Sequence, residues 1–261
     1  MPAPRLDGKS AIITGSSRGI GLLLARSFLE QGCSVLLAAT DAATLEKARV
    51  ELSSVGPPVE AVRCDVTIPA EVDRMMERAA ERFGKTDILI NNAGVLGPVG
   101  PLWETDPGEW NRAVEVNLTG TCLCCRAVLP SMIRRRQGKI INLSGKGAAA
   151  PWPRFSAYAA SKAAVVRFTE TLAEEVRPHN IQVNVMAPGA NDTDMLRAAA
   201  RSEPDLLRGL PADPLKPGRL ALFLASEMSD HITGRFIHVN QNWDEWTEAD
   251  VAGDRYTLRR V

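Results

Sequence analysis

Seven short runs of β-branched and leucine-rich residues, each followed by a longer stretch, restrict this 261-residue chain to one kind of architecture. The runs lie at 10–14, 34–39, 59–64, 87–91, 139–143, 182–186 and 235–239. Polar residues do not alternate through them, which fits strands buried on both faces. Helical patterns fill the intervals: 20–30, 42–54, 70–83, a long one over 107–136, then 155–176 and 215–226. Strands alternating with helices predict an α/β, doubly wound domain with a seven-stranded parallel sheet flanked by helices. No linker rich in Pro, Gly and Ser divides the chain. It reads as one domain over 1–242 with a tail over 243–261.

The first strand runs into Thr14-Gly15-Ser16-Ser17-Arg18-Gly19-Ile20-Gly21, which opens the first helix. Glycines in a strand-to-helix turn let backbone amides approach a pyrophosphate, and the helix N-terminus favours its charge. A glycine cluster alone is often only a tight turn. Its place directly after the first strand points to dinucleotide binding, with Gly15, Ser17, Arg18, Gly19, Ile20 and Gly21 in contact. The second strand ends Ala38-Ala39-Thr40-Asp41. An acid here would hold the ribose hydroxyl of NAD, whereas a cation accommodates a 2′-phosphate. Ala39 offers no carboxylate, Arg18 supplies a cation and Thr40 a hydroxyl. The expectation is NADP(H) in preference to NAD(H). Asp41 is either an acid in a shifted register or the cap of the next helix.

Tyr158 and Lys162 lie four residues apart in a helical stretch, on one face. A fixed positive charge beside a phenol favours the phenolate and brings it toward the working range of a proton carrier. The same spacing is common on solvated helix faces, so the pair gains weight only from its company.

Lys plus Arg equals Asp plus Glu, at 31 each. A neutral chain has no global field for nucleic acid or an anionic membrane, so neither partner is expected. The five cysteines (Cys33, Cys64, Cys122, Cys124, Cys125) contain no C-x-x-C pair and read as buried small hydrophobes in a reducing, cytoplasmic compartment. The three histidines are dispersed, so no metal is expected. No apolar signal core or membrane span is apparent.

With these residues in hand, the chain resembles the short-chain dehydrogenase/reductase family, roughly over 9–239. The motifs that carry the resemblance are the Gly15–Gly21 loop, Asp65-Val66, Asn91-Asn92-Ala93-Gly94, Asn117, the Tyr158 and Lys162 pair, and Pro188-Gly189-Ala190-Asn191-Asp192-Thr193. The resemblance implies a Rossmann-like fold and a cofactor touching Asp65, Val66, Asn91, Ala93, Gly94, Pro188, Gly189 and Thr193 as well. It implies Tyr158 as acid or base, Lys162 on the nicotinamide ribose, and Asn117 holding a water in the proton path. It also implies a homo-oligomer, tetramer or dimer, with the tail at a subunit interface.

Three features depart from the family pattern. The catalytic serine, thirteen positions before the tyrosine, is Gly145, and Ser144 precedes it. We expect a local distortion after Leu143 to aim the Ser144 hydroxyl at the phenol; otherwise Ser144 is a backbone-bonded serine and a water or substrate group serves instead. The usual glycine pair after the last strand is replaced by Asn240-Gln241-Asn242, and the tail carries Trp246, Tyr256, Arg259 and Arg260. The implied activity is reversible hydride transfer between a nicotinamide cofactor and a small carbonyl or alcohol substrate, in a pocket of Leu96, Trp152, Phe155 and Met195. Alternatives are an epimerase or lyase of the same family, and a dinucleotide-binding regulatory protein weakened by the lost serine.

Overall fold

The computed structural model describes residues 4–209 and 213–258; Arg259 and Arg260 lie outside the described residues. Its strands are β1 (Ser10–Thr14), β2 (Ser34–Ala39), β3 (Val59–Arg63), β4 (Ile88–Asn91), β5 (Gly138–Leu143), β6 (Ile181–Ala187) and β7 (Phe236–His238). They form one parallel sheet in the order β3-β2-β1-β4-β5-β6-β7. The helices are α1 (Gly19–Glu30), α2 (Ala42–Leu52), α3 (Pro69–Phe83), α4 (Pro107–Val114), α5 (Gly120–Arg135), α6 (Ser156–Val176), α7 (Asp194–Ala200) and α8 (Lys216–Ala225).

Local chemistry sets several boundaries. Asp41 caps α2, its carboxylate accepting from the Thr44 amide at 2.7 Å, and Asp106 caps α4 through the Glu109 amide at 2.8 Å. Pro69 and Pro107 occupy first helical positions, and α3 stops at Gly84, whose φ of 76° suits glycine. The apolar pattern over 107–136 predicts one regular helix. The structure instead inserts a π-helical turn, Glu115–Thr119, between α4 and α5. Such single π turns are frequent at functional sites. Here it contains Asn117. The helix α7 follows a polar loop and is too short to show a period in the sequence.

The sheet separates two apolar cores. On one face Ile13 and Leu37 meet Leu24, Phe28, Leu52 and Phe223 from α1, α2 and α8. On the other Ile12 and Leu36 meet Met75, Val128, Met132 and Leu172 from α3, α5 and α6. The continuous helix from Pro107 to Arg135 is long and apolar enough to cross a membrane by length and composition, but here Cys124, Cys125, Val128 and Met132 pack it against the sheet.

The tail folds back over its own chain. Trp243 packs on Phe223 (centroids 5.2 Å apart) and Trp246 stacks on Tyr256 at 4.0 Å. The Arg235 guanidinium donates to the Val251 carbonyl at 2.6 Å. Beside β7, the Phe236 amide donates to the Tyr256 carbonyl at 2.7 Å, and the His238 amide donates to Gln241 Oε1 at 2.7 Å.

Candidate active site

Strand order reverses between β1 and β4, and open α/β sheets bind ligands at the carboxyl ends of such a pair. The two loops there are tied together. Thr14 Oγ1 accepts from the Asn92 and Ala93 amides at 3.1 and 3.0 Å. The Asn92 side chain donates to the Thr14 and Gly15 carbonyls at 2.8 and 2.9 Å. Gly15 has φ +63°, and a β carbon on it would sit 2.8 Å from Ala93 Cα, so the turn admits only glycine. α1 begins above this turn with no side-chain cap and no acid in its first turn. Its free amides, the glycine cradle and the helix dipole together fit the pyrophosphate of a dinucleotide.

A cleft of about 520 Å³ runs from this turn in both directions. Every residue that the sequence reading assigns to the cofactor lines it, apart from Gly21, Asn91 and Gly189. Gly21 works by packing, since a β carbon there would lie 2.3 Å from the Gly15 carbonyl oxygen. Gly189, at φ +72°, lets its loop pass Val239. Asn91 corrects the sequence expectation. Its side chain points into the core, donating to Asn142 Oδ1 at 2.8 Å, because its neighbour Asn92 is the one that turns to the glycine loop. Asn92 is a functional position that its motif alone does not distinguish from Asn91.

Past β3, Asp65 accepts from the Thr67 amide at 3.0 Å and from Arg112 Nη2 at 2.7 Å. Burial opposes the charge on Asp65, but these hydrogen bonds prevail and hold its carboxyl below the usual range. Arg112, on α4, also lines the cleft. Its partner lies 47 residues away, and no local pattern announces it. At the end of β2, Ala39 and Thr40 line the cleft. The Asp41 carboxylate is the helix cap, so the shifted-register alternative loses its acid. Arg18 pairs with Asp194 at 3.2 Å, both well exposed.

At the other end stand Tyr158 and Lys162, on successive turns of α6. The Lys162 ammonium donates to the Leu143 carbonyl at 2.9 Å and lies 5.6 Å from the centroid of the Tyr158 ring. Burial pushes the phenol up to about 12 and the ammonium down to about 8. This is opposite to the lowering expected for the phenol. The cation lies over the ring and is drawn to a carbonyl, and loss of water around each group is the cause of both shifts.

Ser144 also corrects an expectation. Its amide still donates to the Met186 carbonyl at 2.9 Å, so the β5–β6 ladder continues without distortion. Its hydroxyl donates to the Lys162 carbonyl at 3.1 Å. The position that meets the phenol is Gly145, where a β carbon would sit 2.6 Å from Tyr158 Oη. Asn117, fully buried in the π turn, has its amide engaged by Val95 and Ser161.

The expected pocket residues divide. Leu96, Trp152 and Phe155 form one cluster with Tyr158, Trp152 stacking on Phe155 at 3.9 Å and meeting the Tyr158 ring edge-on at 5.7 Å. Met195 lines the cleft. The Trp152 indole donates to Glu203 at 2.6 Å, and Lys146 pairs with the same carboxylate.

A doubly wound sheet with a glycine-lined cleft leading to a half-buried tyrosine and a buried lysine defines a dinucleotide-binding oxidoreductase. Within that class the chain belongs to the short-chain dehydrogenase/reductase family: the model for short chain dehydrogenases matches residues 9–204. It is 39% identical over 245 residues to oxidoreductase UcpA of Salmonella typhimurium, covering 88% of this chain and 92% of that one. NAD+-bound xylitol dehydrogenase superposes with a TM-score of 0.84 at 27% identity, covering 89% of this chain and 97% of the other. An actinorhodin polyketide ketoreductase with NADPH gives 0.83 at 28%, covering 91% and 98%.

Proposed function

We propose that the protein is a carbonyl reductase or alcohol dehydrogenase that prefers NADP(H), with Tyr158 exchanging the proton on the substrate oxygen. The observation that carries this reading is the placement of half-buried Tyr158 and buried Lys162 together at one end of the glycine-lined cleft, with the Trp152–Phe155 cluster beside the phenol. When bound, the nicotinamide supplies or accepts the hydride and, when oxidised, brings a positive charge to this end of the cleft. The protein's own groups do the rest. Burial keeps the phenol protonated, so Tyr158 is ready to donate to a carbonyl. Lys162 stands beside it as the cation nearest the ring. Asn92 and Thr14 lock the phosphate loop, and Asn117 ties the loop after β4 to α6.

The preference for NADP(H) rests on Ala39, which leaves no acid at the end of β2, and on Arg18 at the cleft mouth. The Arg18–Asp194 pair is solvent-exposed and weak, so a phosphate competes for Arg18 at low cost. The family further supports a homo-oligomer. Purified protein mixed with NADPH or NADH and a panel of ketones tests the function. Loss of nicotinamide absorbance, faster with NADPH, is expected; a protein that binds NADPH yet turns over no carbonyl sinks the reading.

A further inference from the structure

The reacting oxygen in a carbonyl reduction gains negative charge, and a single hydrogen bond shares that charge poorly. Tyr158 provides one donor. Among the described residues, the neighbouring hydroxyl, amide and indole donors are all directed elsewhere. Ser144 donates to the Lys162 carbonyl, and Ser161 to the Tyr158 carbonyl at 2.8 Å. The Asn117 amide donates to the Val95 carbonyl and to Ser161, both at 2.9 Å. The Trp152 indole donates to Glu203. Lys162 gives one of its three N–H groups to the Leu143 carbonyl, and its ammonium lies over the face of the phenol ring, 5.6 Å from the centroid. Position 145 meets the phenol oxygen and has no side chain.

We infer that the second donor comes from the substrate: the site takes ketones carrying a hydroxyl on the adjacent carbon and, in the oxidative direction, vicinal diols. This rests on the reductase reading. In reduction the carbonyl carbon takes the hydride, the carbonyl π bond breaks, and the oxygen takes the Tyr158 proton. The adjacent hydroxyl lends its hydrogen bond to that oxygen and keeps its own proton. The product is the diol, and the dinucleotide leaves oxidised. Such a substrate satisfies its own oxygen where Gly145 offers nothing. The apolar cluster of Leu96, Trp152 and Phe155 accommodates the remaining carbon skeleton.

The test is a matched pair, 2-hydroxyacetophenone and 2-methoxyacetophenone. They share an aryl ketone and an oxygen on the adjacent carbon, and only the first has the donor. Removal of one donor to a developing oxyanion costs on the order of 10²–10³ in kcat. The wild-type protein is expected to turn over the hydroxy ketone at least about 10²-fold faster than the methoxy ketone. Gly145→Ser restores a hydroxyl and should narrow that ratio to a few-fold, by gaining on the methoxy ketone. Gly145→Ala adds the β carbon without the hydroxyl and should keep the ratio. The phenol is the group that must give way in both variants, so melting curves and NADPH binding check their integrity. If Gly145→Ser does not fold, the wild-type ratio alone decides. A wild-type ratio within about threefold overturns the inference while leaving the reductase reading intact. An unchanged ratio in a folded Gly145→Ser protein does the same. Binding of NADPH with no turnover of either ketone, by either dinucleotide, removes the reductase reading and the inference together.

Discussion

Asn117 and Val95 are paired in both directions: the Asn117 carbonyl accepts from the Val95 amide at 2.8 Å, and its NH2 donates to the Val95 carbonyl at 2.9 Å. The same NH2 reaches Ser161 on α6. The π turn makes this possible by bringing Asn117 inward beside the loop after β4. A residue expected to hold a water therefore spends its amide fastening loop to helix. Asn117→Leu should remove both bonds to the part-buried backbone groups of Val95 and the bond to Ser161, each worth about 0.5–1.5 kcal/mol. A fall in the urea midpoint is expected together with a lower kcat. An unchanged midpoint would show that the pairing is not structural.

Tyr158→Phe removes the proton carrier and little else. Turnover should fall about 10²–10⁴-fold, with the NADPH dissociation constant within a few-fold of wild type. More than a tenth of the wild-type activity remaining would exclude Tyr158 as the acid.

For Ser144 the geometry reverses the expectation drawn from sequence. Its hydroxyl is bonded to the Lys162 carbonyl, in register with an undistorted ladder. Ser144→Ala should lower kcat by less than about fivefold, far short of the loss for an oxyanion donor. A loss of about a hundredfold would place its hydroxyl on the substrate after all.

Ala39→Asp should turn the dinucleotide preference toward NADH, because a carboxylate at the end of β2 holds a ribose hydroxyl and repels a 2′-phosphate. Asp194→Asn should act the other way by releasing Arg18 from its ion pair. That pair is exposed, so the gain in NADPH affinity should stay within about fivefold. Dissociation constants for both dinucleotides, measured by fluorescence, check both expectations.

Lys162 leaves a mark on stability. Its value is pulled down from 10.5 to about 8 by burial, so between those pH values the unfolded chain holds more protons than the folded one. Stability then rises with pH across that window, by up to roughly 3 kcal/mol from this group. Tyr158, raised from 10.0 to about 12, acts in the opposite sense, and only above pH 10. Urea midpoints at about pH 8 and 10 should therefore diverge less in Lys162→Met than in wild type. Equal shifts in both proteins would show that Lys162 is not the group responsible.

The strands and the glycine turn were legible because buried parallel strands and phosphate loops leave dense local signatures. Of the cofactor residues, the Gly15–Gly21 loop is readable from those signatures, whereas Asp65, Val66, Ala93, Gly94, Pro188 and Thr193 come only from the family resemblance. Position-by-position facing did not. Asn91 and Asn92 are chemically identical, and only the bond to Thr14 decides which turns to the loop. The aim of Ser144 depends on whether the β5–β6 ladder runs straight through it. The direction of the Tyr158 shift is set by desolvation, which the i, i+4 spacing to Lys162 does not reveal. Arg112 reaches Asp65 across 47 residues, a distance at which no local pattern carries information.

The arrangement beside β7 has a bearing on how copies of this chain can meet. In a parallel edge strand, alternate amides face outward and invite a further strand. Here those of Phe236 and His238 are already taken by Tyr256 and Gln241 of the same chain. At the β7 border, a strand offered by a second copy would therefore find these two amides already occupied by its own chain.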